Sequence, residues 1–508
     1  MSQHSQKYSN PDRFFQTEHL KNDLQKHTVR GGAITLSSQI LKFTLQTGGT
    51  FLLARLLVPS DFGLIGMVTI ILNFVELFKD LGLSTATVQK DQINHAQVSL
   101  LFWINLAFSV AVTAIVAAMA PLVAWFYQEP RLTSIVLVLS ANFILGGLAV
   151  QHVAILQRRM QFGLIAQSEI VSMVVGVLAA MGSALGGAGY WSLVIWRLAQ
   201  SVTVLICVWI ALPWRPGWVG KASGMASMLA FGGNITGFNV LNYFSRNFDN
   251  FLIGRYWGAE QLGLYAMAYK ILLMPIQQIN APITNVAIPV LSRLQEEPEK
   301  YRRYYYKAVL AICTFGVPVV AFMFATADQI VLLMLGQDWL GVIPIFRWLT
   351  PAAYIGAFNV ATGWVYISLG RVDRQLYWII PKSIFDVILF AISVQWGAIG
   401  VAAAYGIAQP LIRIPEIFYC YRGTPLTVAG LAEAIWIPTL ASLGAVLVVI
   451  ASNHFLFVNL SVFISFILST ILFFFIYLLI WILLPNGRNT LTEILNMVQM
   501  ISNRTKQS

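Results

Sequence analysis

Charge is scarce in this chain of 508 residues: Asp, Glu, Lys and Arg make up 10% of it, against 57% hydrophobic residues and a mean hydropathy of +0.71. That balance excludes an ordinary soluble domain, in which roughly 25% of residues are charged. Cysteine is nearly absent. Cys207, Cys313 and Cys420 stand far apart in separate apolar runs, so neither a disulfide framework nor a metal site is expected. Residues 1–33 contain no apolar core, which argues against a cleaved secretory signal. Phosphate-cradling GxxxxGK[ST] and strand-associated GxGxxG motifs are missing, and GGAGYW at 186–191 reads as a turn between spans. His95 and His152 have no metal-ligand companions. The longest outer loop runs about 17 residues, Ala327 to Ile343, too short for a catalytic domain, so no enzyme is expected.

Long apolar runs are what the chain does have. Each covers roughly 18 to 25 residues, enough to cross a hydrocarbon core of about 30 Å as a helix, and none shows the alternation of a β-barrel strand. We expect an all-α polytopic membrane protein with about 14 transmembrane helices. Lys and Arg outside the spans number 22 on one side and two, Arg131 and Arg255, on the other. The positive-inside rule then puts both termini in the cytoplasm. Most of the net charge of +11 is thereby explained by loops facing anionic lipid, with no nucleic-acid partner.

The sequence matches itself at an offset of 200. FLLARLLVPSDFGLIGM at 51–67 aligns with FLIGRYWGAEQLGLYAM at 251–267, with identities at Phe51/Phe251, Leu52/Leu252, Arg55/Arg255, Gly63/Gly263, Leu64/Leu264 and Met67/Met267. Six spans separate the copies, an even number, so the halves share orientation and an axis along the membrane normal relates them. The expected organisation is a cytoplasmic tail at 1–33, a first six-helix lobe at 34–212 and a linker at 213–227. A second, pseudo-symmetric six-helix lobe follows at 228–420, then an extra helix pair at 431–484 and a cytoplasmic tail at 485–508. Residues 434–487 contain no Asp, Glu, Lys or Arg. Two parallel halves suit alternating access, which makes transport the leading class.

Charges inside spans are costly, about 2.5–3.5 kcal/mol each at the bilayer centre on insertion scales, so their positions are informative. In span seven Asn239, Asn242, Arg246, Asp249 and Asn250 fall on one helical face. At the offset of 200, span one presents Ser38, Lys42, Gln46 and Gly49, and span eight adds Lys270 and Gln277. Two readings stand for Arg246 and Asp249: a self-neutralised pair that fixes helix rotation, or part of a cavity wall. The same alternatives apply to Lys382/Asp386 and Arg413/Glu416, while Glu169 and Arg197 read as interfacial or structural. Lys42 and Lys270 have no acid within four residues on their own helices. Lys42, Arg246 and Lys270 against Asp249 leave an excess of positive charge, which favours an anionic substrate such as a phosphate or diphosphate. Lys42, Arg246 and Lys270 are the candidate diphosphate ligands, and Asp249 the candidate coupling or Arg-orienting group. Asn239, Asn242, Gln46 and Gln277 are candidate polar lining.

The stretches LARLLVPSDFGLIGMVTIILNFVELFKDLGLSTATVQ and DNFLIGRYWGAEQLGLYAMAYKI resemble Wzx-type polysaccharide transporters of the multidrug/oligosaccharidyl-lipid/polysaccharide (MOP) exporter superfamily, closest to the colanic-acid-exporter-like (WzxC-like) branch. The resemblance covers about residues 30 to 480. It implies a flippase of the bacterial inner membrane that carries an undecaprenyl-diphosphate-linked oligosaccharide from the cytoplasmic to the periplasmic leaflet for exopolysaccharide or lipopolysaccharide synthesis. The implied fold has two lobes around a cationic cavity and an extra helix pair that forms a groove for the lipid tail. No cofactor is implied; a proton or sodium gradient or the membrane potential would drive turnover. Implied partners are the lipid-linked oligosaccharide, membrane lipids, and polysaccharide polymerase and chain-length proteins. A cation-coupled drug antiporter of the same superfamily, and a membrane polymerase or ligase, are the competing readings.

Overall fold

The computed structural model describes residue 15 and residues 24–76, 83–89, 93–218 and 236–492. Fifteen α-helices and no strand occur among the described residues. They are α1 (Leu24–Ala54), α2 (Pro59–Glu76), α3 (Leu83–Gln89), α4 (His95–Tyr127), α5 (Arg131–Arg158), α6 (Phe162–Leu185), α7 (Trp191–Ala211) and α8 (Thr236–Arg293). Then come α9 (Pro298–Ala325), α10 (Ala327–Met334), α11 (Val342–Ser368), α12 (Val372–Ser393), α13 (Gly397–Tyr421), α14 (Val428–Phe455) and α15 (Val462–Leu483). Each of the fourteen expected spans has a helix at its place, α8 supplying two because it is kinked at Gly258. Ten helical runs among the described residues are long and apolar enough to cross a membrane. Two of them, Tyr243–Arg293 and Val372–Tyr421, each hold two helices, so twelve expected spans are covered; α1 and α11 fall outside the ten. The chain is a multi-pass membrane protein.

Local signals in the sequence set several helix ends. Asn94 and Gln97 form a reciprocal capping box at the start of α4, with the Gln97 N–H donating to Asn94 Oδ1 at 2.9 Å. At its other end Gln128 takes the left-handed conformation with φ 56°, which stops the helix before Pro130. Thr427 caps α14, its Oγ1 accepting from the Gly430 N–H at 3.1 Å.

Two compact units make up the chain, Met1–Gly263 and Leu264–Ser508. Of the expected 213–227 linker, residues 219–227 lie outside the described residues, as do most of residues 1–33 and the tail from 493 onward.

In the first unit α4 packs on α5 and α6 on α7, with small residues at the crossings. A Cβ on Gly147 would stand 2.4 Å from Ser109 Oγ, and one on Gly176 would stand 2.8 Å from Trp196 Cδ1. One core cluster of this unit closes on Trp214, which is fully buried just after α7 beside Phe102, Ile155 and Val208. Both histidines of the sequence reading serve this tryptophan. His152 Nε2 lies 3.2 Å from the Trp214 carbonyl, and Trp214 Nε1 donates to His95 Nδ1 at 3.0 Å.

The repeat is visible as a break in the helix at the same register. The first copy ends α1 at Ala54 and restarts as α2 at Pro59; the second passes through Gly258, with φ 77° and ψ −172°, and resumes at Ala259. Backbone of that kind is open to glycine and strains other residues. Proline at the first position of α2 and Asp61 in its first turn both favour a helix start there, with Asp61 Oδ2 accepting from the Val58 N–H at 3.3 Å. The two restarted segments cross within the first unit. A Cβ on Gly63 would lie 1.6 Å from the Ala259 carbonyl oxygen, and a Cβ on Gly263 would lie 1.9 Å from the Pro59 carbonyl oxygen.

In the second unit α9 packs on α14 and α11 on α13. Buried tyrosines join the helices: Tyr301 to Ser368 at 2.8 Å, Tyr305 to Tyr421 at 3.0 Å, and Tyr477 to the Thr314 carbonyl at 3.0 Å. Apart from Glu433 in the second turn of α14, the pair α14 and α15 carries no Asp, Glu, Lys or Arg, yet only one face of each helix is buried. Ala441, Ala445 and Val449 on α14 meet Phe473, Tyr477 and Trp481 on α15, each set spaced by four residues. Leu447, Ile471, Phe475 and Leu483 on the other faces are exposed. Gln329 pins the far end of the pair, donating to Asn453 at 3.0 Å and Ser465 at 2.8 Å.

Candidate functional site

The candidate residues divide between the two units. Ser38, Lys42, Gln46 and Gly49 on α1 and Arg246 and Asp249 on α8 belong to the first; Lys270 and Gln277 belong to the second. Asn239 and Asn242 lie on α8, and their side chains are outside the described residues.

On α1 the polar stripe does not behave as one surface. Lys42 forms an ion pair with Glu169 of α6, with 16% of its side chain exposed against 41% for Glu169. Gln46 is exposed, Ser38 is buried, and Gly49 packs on α6 and α7. A Cβ on Gly49 would meet Val177 at 2.6 Å and Trp196 at 3.4 Å. The residue type at position 49 thus serves close packing. Glu169 was legible in the sequence as a lone carboxylate in an apolar run, but its partner, 127 positions earlier, was not.

On α8 the arginine and the aspartate part company. Asp249 is 5% exposed and accepts from the Asn250 N–H at 2.8 Å and from Asn250 Nδ2 at 3.1 Å. Arg246 is exposed and makes no ion pair among the described residues. The i, i+3 spacing alone would permit a pair; none forms, and one side chain is exposed while the other is buried. Tyr243, one turn earlier, donates to the Ile70 carbonyl at 2.6 Å and packs its ring, tilted by 41°, on Phe74 at 6.0 Å, which fixes this half of α8 against α2. Arg246 is therefore a cation carried on a rigid helix with its donors available, a geometry suited to an anionic oxygen group.

Lys270 and Gln277 are exposed on the second half of α8. Two further charged pairs in the second unit are neutralised locally. Lys382 Nζ reaches Asp386 at 2.6 Å, and Gln409 donates to the same carboxylate at 3.0 Å. Arg413 and Glu416 pair at 2.7 Å while both are buried. Removing one member of such a pair would leave the other uncompensated in a medium of low polarity. Spacing along single helices announced these pairs; Gln409, on the neighbouring helix, was visible only as another polar residue in a span.

Residues 52–344 match the family described as polysaccharide biosynthesis protein. The teichuronic acid biosynthesis protein TuaB of Bacillus subtilis (strain 168) is 27% identical over 307 residues, which are 60% of this chain and 64% of TuaB, so the chain spans under two thirds of that relative. The lipopolysaccharide biosynthesis protein WzxC of Escherichia coli (strain K12) is 23% identical over 435 residues, 84% of this chain and 87% of WzxC. In fold, the lipid II flippase MurJ in its inward closed conformation superposes with a TM-score of 0.69 at 13% identity, covering 89% of this chain and 98% of MurJ. An inward-facing multidrug resistance MATE family transporter of the MOP superfamily gives 0.58 at 16% identity, covering 75% of this chain and 94% of that one. With the family match spanning more than half of its length, the chain belongs to the polysaccharide biosynthesis protein family, and its helices take the MOP exporter fold.

Proposed function

We propose that this protein flips an undecaprenyl-diphosphate-linked oligosaccharide from the cytoplasmic to the periplasmic leaflet of the bacterial inner membrane, with both termini cytoplasmic. The observation that carries this reading is a joint one: membership of a polysaccharide biosynthesis family on a fold shared over 89% of the chain with a lipid II flippase. In this reading Arg246 is the principal diphosphate ligand, assisted by Lys270. Lys42 serves through a carboxylate-paired ammonium that the substrate anion recruits. Asp249 orients the α8 face or takes part in ion coupling, and Asn239, Asn242, Gln46 and Gln277 face the glycan in a cationic cavity worked by alternating access. The exposed apolar faces of α14 and α15 give the polyprenyl tail a path through the bilayer.

The MATE-like fold is shared by drug transporters, so an antiporter is the second reading. An exposed span arginine that makes no ion pair among the described residues disfavours a cationic drug and favours an anion.

Reconstituted full-length protein, given defined lipid-linked oligosaccharides with and without a proton or sodium gradient, tests the choice. Gradient-stimulated appearance of the glycan in the opposite leaflet is the expected result. Absence of flipping with efflux of cationic dyes would replace it by the antiporter.

A further inference from the structure

Arg131 and Arg255, two of the arginines at the end of the first unit where α4 and the first half of α8 finish, have different partners. Arg131 is held by Glu129 through two hydrogen bonds of 2.8 Å, Nε to Oε1 and Nη2 to Oε2. Arg255 is half-buried at the end of the first half of α8 and makes no ion pair among the described residues. Its guanidinium carbon stands 5.7 Å from the Phe126 ring centre and 5.8 Å from that of Tyr256. Contacts to ring faces hold a guanidinium without using its in-plane N–H donors.

The rings under it are themselves fixed. Phe126 stacks on Phe251 at 4.5 Å, and Phe251 on Phe248 at 6.3 Å, so a ladder of three rings positions the cation. Arg255 also lines a cavity of about 670 Å³ whose walls include Pro121, Ala124, Trp125, Phe126 and Gln128. That volume falls in the range of small-molecule sites, roughly 300–1,000 Å³. Pro121, Ala124, Trp125 and Phe126 on the last two turns of the membrane-spanning α4 form an apolar wall, Gln128, Pro130, Thr133 and Arg255 complete the lining, and Trp125 is 75% exposed, as befits a ring at the membrane–water boundary.

We infer that this cavity binds the head group of an anionic phospholipid, with Arg255 as the ligand to the phosphate, Gln128 as a second donor, and the acyl chains against Pro121 and Trp125. An anion borne on an apolar tail satisfies both a guanidinium that makes no ion pair among the described residues and the apolar α4 wall; a free ion satisfies only the first. The site stands whether or not the protein flips oligosaccharides, because it is read from the first unit alone.

Photo-crosslinking decides it. Full-length protein in nanodiscs receives phosphatidylglycerol or phosphatidylcholine, each carrying a diazirine next to the head group, and labelled peptides are mapped. Phosphatidylglycerol is expected to label residues 121–133 and 251–256 about fivefold more than phosphatidylcholine, the preference one cation near the surface provides. Arg255→Gln should erase the preference, Arg255→Lys should keep part of it, and Arg131→Gln should leave it unchanged. Equal labelling of the unmodified protein by the two lipids, or a preference that survives Arg255→Gln, overturns the site. Displacement by millimolar inorganic phosphate would make it a soluble-anion site and overturns the lipid assignment.

Discussion

Gly63 and Gly263, 200 positions apart in the sequence, face each other's helix start: each lies against the backbone carbonyl of the residue that begins the opposite copy, Ala259 for Gly63 and Pro59 for Gly263. Because Pro59 and Ala259 are themselves repeat partners, the contact is reciprocal, as in an isologous interface. The internal repeat is thus a packing relationship as well as a sequence match. Glycine at both positions lets two backbones approach to a distance that a single methyl group would prevent.

This crossing makes a sharp prediction. Gly63→Ala and Gly263→Ala should each destabilise the protein by about 1–3 kcal/mol, the usual cost of forcing atoms into a filled space. Gly66→Ala, whose Cβ would meet Leu262 at an ordinary 3.6 Å, should be tolerated. Thermal unfolding of the purified variants in detergent separates the two outcomes.

Arg246→Ala should slow flipping in the reconstituted assay by roughly 10- to 100-fold, the loss of a charged hydrogen bond worth about 1.5–3 kcal/mol. Thermal stability should hold, because Arg246 is exposed and makes no ion pair among the described residues. A flipping rate equal to that of the unmodified protein would leave Arg246 without a role in substrate binding.

Lys42 and Glu169 can be tested by exchange. Lys42→Ala and Glu169→Ala should each lower stability, and the charge-swapped pair Lys42→Glu with Glu169→Lys should recover most of it. Flipping in the swapped protein should stay slow, because position 42 then presents the wrong sign to a diphosphate. Full recovery of both properties would mean that Lys42 only holds α1 against α6.

Trp214 should matter for folding more than its place beyond α7 suggests. Trp214→Ala removes a fully buried ring that both His95 and His152 contact, and a cost of about 3–5 kcal/mol is expected. Yield and thermal unfolding of the variant measure it.

The loop between α4 and α5 carries a pH signature. The hydrogen bond from Arg131 holds the Glu129 carboxyl below the usual carboxylate range. A carboxylate with a lowered folded pKa contributes stability that is fully present above its unfolded value, about 4.3, and is lost as the pH falls through the folded one. The stability difference between the unmodified protein and Glu129→Gln should therefore be constant near neutrality and shrink below about pH 4.

The spans were legible because a membrane makes a strict demand: every backbone polar group must be satisfied within its segment, so a long apolar run can only be a helix. The position of the repeat was legible too, since it keeps Arg, Gly, Leu and Met at fixed offsets. Pairing within one helix was partly readable. Lys382 with Asp386 and Arg413 with Glu416 do meet, at the spacing that puts two side chains on one face. The same spacing failed for Arg246 and Asp249, because Asp249 is buried and takes its hydrogen bonds from Asn250 while Arg246 is exposed. Glu169 was missed as the partner of Lys42 because no local pattern relates α1 to α6.

By itself, the sequence determined the membrane class, the places of the long helices, and the doubling of a helix–break–helix unit, all consequences of hydrophobic run length and periodicity along the chain. Only the tertiary structure decided that Lys42 is paired, that Gly49 packs where polarity was expected, that Arg255 faces a cavity, and that Gly63 and Gly263 interlock. Those are facts about which helix lies beside which. They arise from side-chain volumes and ion pairs between segments far apart in the chain, and one-dimensional spacing carries no record of them.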